Sequence, residues 1–145
     1  MTKPVTITMQ QMQDSAEEPE VLRFVTDGTW SYENNIGLLK YSESDITGMR
    51  GTLTSLSILP DRIIVDRKGA VISRMEFKKG VKNTFLYNTP YGTADMGLDT
   101  KSVTHHFDEA GGRAEIDYIL GMQHRVFSKN KFIISVEQQG EKTNV

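Results

Sequence analysis

Cysteine is absent from the 145 residues of this chain, which removes disulfide staples, thiolate nucleophiles and sulfur-ligated metal sites. Charge of one sign is lacking too. Seventeen Lys and Arg stand against 19 Asp and Glu, for a formal net charge of -2. The basic residues are dispersed, so nothing follows a phosphate backbone and nucleic acid is not an expected partner. No apolar run is long enough to span a bilayer, and the opening MTKPVTITMQQMQDSAEEPE lacks the unbroken apolar stretch of a signal peptide. Membrane insertion is therefore not expected, and the cytoplasm is the expected compartment. Helical periodicity is also scarce: at most one short helix is expected, at Ala110 or within Gly121 to Ser128. Neither a Gly-x-Ser-x-Gly elbow nor a glycine-rich phosphate loop occurs.

What the chain has instead is alternation. Val5, Ile7 and Met9 alternate with Thr6, Thr8 and Gln10, and Thr52, Thr54, Leu56 and Ile58 alternate with Leu53, Ser55, Ser57 and Leu59. Period two marks a half-buried strand. A long strand from Val21 to about Glu33 carries Leu22, Phe24, Trp30 and Tyr32 on one parity. Further strands are read at Ile36 to Glu43, Val81 to Thr89, Thr93 to Phe107, Arg113 to about Met122, and from Phe132 after a Ser128 to Lys131 connection. Turn residues separate them: Asn34-Asn35, the loop between Gly48 and Gly51, Pro60-Asp61, Pro90, and Glu109 to Gly112. Gly28 and Gly97 fall inside long strands and are read as a bend or bulge and a hinge.

Asp61 to Phe77 reads as a hairpin. Asp66-Arg67-Lys68-Gly69 fits a type I turn followed by a glycine bulge. That register sets Val65 opposite Val71 and Ile63 opposite Ser73. Ile63, Val65, Met75 and Phe77 then share a mainly apolar face, while Arg62, Asp66, Arg74 and Glu76 share the other with an opposed Ile64 and Ile72.

Eight to ten antiparallel strands must either pack as two sheets or close on themselves. Long strands with internal glycines favour closure. The expected fold is all-β, a closed antiparallel barrel forming one domain over residues 1–145, with a two-sheet β-sandwich as the alternative.

The segments DRIIVDRKGAVISRMEFKKG, LYNTPYG and GLDTKSV, in that order, resemble the uncharacterised bacterial YwiB-like family of lipocalin-like (calycin) β-barrel proteins. The likeness runs roughly from Val5 to Val136. It is carried by Arg67 with Gly69, Met75 with Phe77, Gly80, Tyr87 with Thr89-Pro90 and Gly92, and Thr100-Lys101-Ser102, with Tyr41-Ser42-Glu43 and Gly51-Thr52 upstream. The resemblance implies a small cytosolic lipocalin-like barrel. It supplies no catalytic residue, because the family has no established activity. Gly28-Thr29-Trp30 also looks like the Gly-x-Trp that opens lipocalins, but it follows an extra strand and lies inside a long one. Trp30 is accordingly read as a core or barrel-end aromatic.

Candidate sites are few. His105 and His106 are adjacent and point to opposite faces of a strand, and His124 stands alone, so no metal site and no cofactor is expected. Glu43 with Tyr41, Glu76 with Arg74, and Asp117 between Glu115 and Ile119 could bring ionisable groups into a cavity, but the outer wall is the expected place for most of them. Arg67 stands at a hairpin tip, where its guanidinium either clamps onto Glu43 or recognises a ligand. Two functions follow. The first is binding of a small apolar or amphipathic ligand in a partly filled barrel, with Trp30, Tyr41, Met75, Phe77, Phe85 and Tyr87 available as lining and a pocket near one mouth bounded by Tyr41, Glu43, Arg67 and Tyr87. The alternative is a structural or protein-interaction domain, a homodimer included, that uses Leu38, Ile64 and Ile72 as an apolar patch. Whether the protein is an enzyme is left open; hydrolysis ranks third, since no converged acid and base is legible.

Overall fold

The computed structural model describes residues 2–14, 19–122 and 125–139. Ten strands follow in order: β1 Lys3–Asp14, β2 Glu20–Glu33, β3 Ile36–Ser42, β4 Thr52–Leu59, β5 Arg62–Gly69, β6 Ser73–Phe77, β7 Lys82–Thr89, β8 Gly92–Asp108, β9 Gly111–Met122 and β10 Arg125–Gln138. They form one antiparallel sheet in the order β6-β5-β4-β3-β2-β1-β10-β9-β8-β7. The sheet curls until β6 and β7 meet, giving a nearly closed barrel of ten strands in place of the two-sheet alternative.

Closure at that seam is slight. Ile72 and Asn88 exchange backbone hydrogen bonds of 2.9 and 3.0 Å, and the Asn83 side-chain amide donates to the Glu76 carbonyl at 3.1 Å. Among the described residues no other backbone pair joins the two strands. Elsewhere short turns do the joining, and the Asn34-Asn35 turn has φ of 53° and 64°, the left-handed conformation that a two-residue hairpin requires and that asparagine tolerates.

The Asp61 to Phe77 hairpin differs from the sequence expectation in register and not in faces. Ile63 pairs with Phe77, Val65 with Met75 and Arg67 with Ser73. The chain does not reverse at Arg67-Lys68 because β5 is still bound to β4 there, with Gly69 opposite Thr52. Beyond it, Ala70 N–H donates to the Gly51 carbonyl and Val71 N–H to Thr52 Oγ1, both at 3.1 Å. The connection is thus longer, and the register moves by four residues. An even shift keeps every side chain on its face. It does separate Ile64 from Ile72: Ile64 lies opposite Glu76, and Ile72 opposite Asn88.

Other details shift as well. No bulge occurs at Gly28, where Val5 pairs in continuous register; the glycine instead leaves room for the Lys40 carbonyl and the end of Ile7. Gly97 is likewise in register, and the irregularity of β8 lies between Thr100 and Ser102, so that inward residues change from even (Met96, Leu98, Thr100) to odd (His105, Phe107). Ser128 to Lys131 is strand and not a connection, held between β9 and β1. Ala110 sits in the turn between β8 and β9, and no helix occurs among the described residues; His124 lies outside them.

Across β3 to β6 the inner wall is a set of rungs. Gly37, Ile58, Ile63 and Phe77 form one; Leu39, Leu56, Val65 and Met75 the next; Tyr41, Thr54, Arg67 and Ser73 the third. Polarity therefore rises along the axis. At the apolar end Trp30 is fully buried, its ring lying where a Gly37 side chain would be and its indole N–H donating to the Asp108 carbonyl at 3.0 Å. Phe107, with ring centroids 5.2 Å apart, completes that seal.

Candidate functional site

At the opposite end the side chains do not fill the barrel. A cavity of about 260 Å³ lies there, walled by Leu56, Val65, Met75, Phe77, Phe85 and Met96, by Tyr41, Tyr87, Tyr118 and Phe132, and by Gln11, Met49, Leu120 and Arg67. The wall is apolar because inward positions alternate on every strand, and the second rung (Leu56, Val65 and Met75) with Phe77 supplies one side of it. Arg67 is the one charged side chain among the described residues of this wall.

Of the four residues that sequence reasoning placed around a pocket, Tyr41, Arg67 and Tyr87 share this cavity. Glu43 stands immediately behind it. Glu43 lies two residues beyond Tyr41, just past the end of β3; its N–H donates to the Thr52 carbonyl at 2.9 Å, and its side chain is only 1% exposed. A buried carboxylate needs partners: Thr54 Oγ1 donates to it at 2.5 Å and Thr47 Oγ1 at 2.9 Å. Arg67 Nε lies 3.8 Å from Glu43 Oε2, an ion pair without a hydrogen bond. The clamp anticipated from the sequence is thus present as a charge contact.

Arg67 itself is under-used. A guanidinium offers five N–H donors, yet its Nε is buried with no partner, and Nη1 meets only the Met75 thioether at 3.8 Å. The two nearby phenols are perturbed by the same setting. Burial, reinforced by the negative charge of Glu43, holds the Tyr41 hydroxyl well above the usual tyrosine range. Burial also raises Tyr118, with Arg67 opposing. Tyr41 donates to Met9 Sδ at 3.4 Å, and burial keeps both phenols protonated near neutrality.

Trp30, offered also as possible lining, is not there; it is the buried barrel-end aromatic that the sequence favoured. Met49 was missed because it belongs to the Gly48 to Gly51 loop, where no periodicity operates. Gln11, Tyr118, Leu120 and Phe132 have the right parity on β1, β9 and β10, but only the pairing of β1 with β10 brings those strands to the cavity. The expected apolar patch is also dispersed: Leu38 and Ile64 share an outer row through Ser57, and Ile72 is elsewhere. Glu76 pairs with Arg62 on the outer wall, and Asp117 accepts from Ser102 at 2.8 Å. His105 and His106 lie near the sealed end. Among the described residues no three His, Asp or Glu side chains cluster in a metal-holding group, and no helix is long and apolar enough to cross a membrane.

The molecule is thus a nearly closed antiparallel β-barrel with an off-centre cavity and a buried Glu–Arg pair beside it. The chain belongs to the family described as a domain of unknown function (DUF1934), whose model matches residues 5–134. It is 28% identical over 115 residues, 79% of this chain and 80% of the relative, to the uncharacterized beta-barrel protein YwiB of Bacillus subtilis (strain 168). The crystal structure of the ywiB protein from Bacillus subtilis is similar across 96% of this chain and 94% of that one, with a TM-score of 0.86 at 23% identity. That likeness fixes the fold.

Proposed function

We propose that this barrel binds a small apolar or amphipathic molecule in the cavity beside Arg67 and does not transform it, extending the resemblance to lipocalin-like (calycin) barrels from fold to use, in the cytoplasm. The observation that supports the reading is the asymmetry of the interior: one end is sealed by Trp30 and Phe107, the other holds about 260 Å³ within an apolar and aromatic wall. A guest with an apolar body takes that wall out of water, and burial of apolar surface favours its retention. Uptake of an apolar fluorescent dye, together with a native mass spectrum of protein purified from its own host, tests this. Val65→Phe, which places a ring into the cavity, should abolish dye uptake while the fold persists. If the unsubstituted protein takes up no dye and carries no adduct, the binding reading is lost.

A second reading is favoured by the seam. Since Ile72 faces Asn88 across it, the backbone groups of Arg74 and Leu86 point into a gap without a ladder, and Ile72 and Leu86 are 52% and 59% exposed on its outer side. Such edges accept another strand. On this reading the barrel is an interaction domain, a homodimer included, and Ile72→Lys should lower the mass in solution to that of the monomer. An unsubstituted protein already monomeric at high concentration argues against the homodimer.

A further inference from the structure

We propose that the head of the molecule held in this cavity is a carboxylate, and that Arg67 is the residue that receives it. The inference rests on the binding reading above and adds the class of ligand. It starts from an imbalance. Arg67 is the one cation among the described residues of an otherwise uncharged wall, its side chain is 12% exposed, and its buried Nε has no hydrogen-bond partner. A buried donor left unmade is costly, and a planar guanidinium fork matches the two oxygens of a carboxylate.

Glu43 does not spend those donors. At 3.8 Å from Nε it offsets the charge of Arg67, while its oxygens are engaged by Thr54 and Thr47. The ligand therefore meets a guanidinium whose charge Glu43 balances and whose Nε–H has no hydrogen-bond partner. A neutral carbonyl offers a single oxygen; a carboxylate offers two oxygens in the geometry of the fork and gains the charge contact. The same balance limits affinity, because Glu43 repels an incoming anion across a poorly solvated gap. Size narrows the class further. At about 30 Å³ for each water-sized unit of liquid, the 260 Å³ of the cavity admits roughly nine non-hydrogen atoms. The ligand is thus a compact monocarboxylate with an apolar body, of the size of octanoate.

Calorimetric titration of the full chain with octanoate, octan-1-ol and octanamide at neutral pH, beside the dye assay, separates the claims. Octanoate should bind roughly tenfold tighter than octan-1-ol, the scale of one charge-assisted pair. Arg67→Gln should weaken octanoate by about tenfold more than it weakens octan-1-ol. Glu43→Gln, which removes the competing negative charge and keeps the acceptor oxygen, should tighten octanoate relative to the alcohol. If Arg67→Gln fails to fold by circular dichroism, the Glu43→Gln ratio decides alone. Equal binding of acid, amide and alcohol, or an octanoate preference that both variants leave unchanged, overturns the carboxylate head while leaving the cavity reading intact. Dye uptake with no binding of octanoate overturns it as well. Failure of the dye and all three probes removes the cavity reading itself.

Discussion

Replacing Trp30 by alanine should remove about 4 kcal/mol of stability, and the structure shows why. The indole is fully buried, and an aromatic side chain of this class removes roughly 150 to 250 Å² from water. At about 25 cal/mol per Å² that is about 4 to 6 kcal/mol. Extended-chain areas are upper bounds, and measured Trp→Ala losses in cores of about 3 to 5 kcal/mol set the centre near 4. The loss is a large share of the roughly 5 to 15 kcal/mol that holds a domain together. Trp30→Phe keeps most of the ring and loses the N–H donated to Asp108, so it should cost only about 1 to 2 kcal/mol. Trp30 is the only tryptophan, so tryptophan fluorescence disappears with it. Guanidinium unfolding must be followed by far-ultraviolet circular dichroism. A Trp30→Ala loss below about 1.5 kcal/mol, or equal losses for both variants, would refute the claim that this residue seals the end of the barrel.

Tyr87→Ala, at the half-buried cavity wall, should cost clearly less than Trp30→Ala, about 1 kcal/mol, and should alter dye uptake; a core-sized loss of about 3 to 5 kcal/mol would mean that Tyr87 packs instead of lining. Thr54→Val removes one of the two hydroxyl donors to the buried Glu43 carboxylate and should cost about 2 kcal/mol; a neutral result in urea unfolding would mean that water serves Glu43 equally well. Stability should also decline in alkali. As pH rises through the ordinary tyrosine value near 10, the unfolded chain gives up phenol protons that folded Tyr41 and Tyr118 retain, so the unfolded state binds fewer protons and gains. Tyr41→Phe should flatten that decline, read as unfolding midpoint against pH, and an unchanged slope would contradict the burial of its hydroxyl.

Much of the fold was legible because alternation and turn chemistry are local. Val5, Ile7 and Met9, or Thr52 to Ile58, declare an inner and an outer face without any knowledge of their neighbours, and Asn34-Asn35 declares its own reversal. The hairpin register was not legible, since the competing pull on Gly69 and Val71 comes from Thr52 of β4, outside the hairpin. The same limit governed the cavity. Tyr41, Arg67 and Tyr87 could be grouped from parity and resemblance, but Trp30, which pairs with Leu39 two residues from Tyr41, lays its ring over Gly37 and away from the cavity, and only cross-strand register assigns depth along an axis. Lys101 is the instructive miss. One extra residue between Thr100 and Ser102 reverses the parity of the rest of β8, and nothing in its polarity distinguishes it from an ordinary outward lysine.

The sheet order also bears on how the chain folds. Every ladder but one joins strands consecutive in sequence, and the exception pairs β1 with β10, setting Val5 beside Gln138. The eight strands between β1 and β10 form the loop that this ladder closes, and loop closure of this length together with non-local pairing slows folding. The seam between β6 and β7, by contrast, joins sequence neighbours through a single backbone bridge. A circular permutant that links β10 to β1 and opens the chain between β6 and β7 would convert every remaining ladder into a local hairpin. The native sheet would be the same, its relative contact order lower and its folding faster, with the new chain ends placed at the one edge the barrel already leaves nearly unpaired.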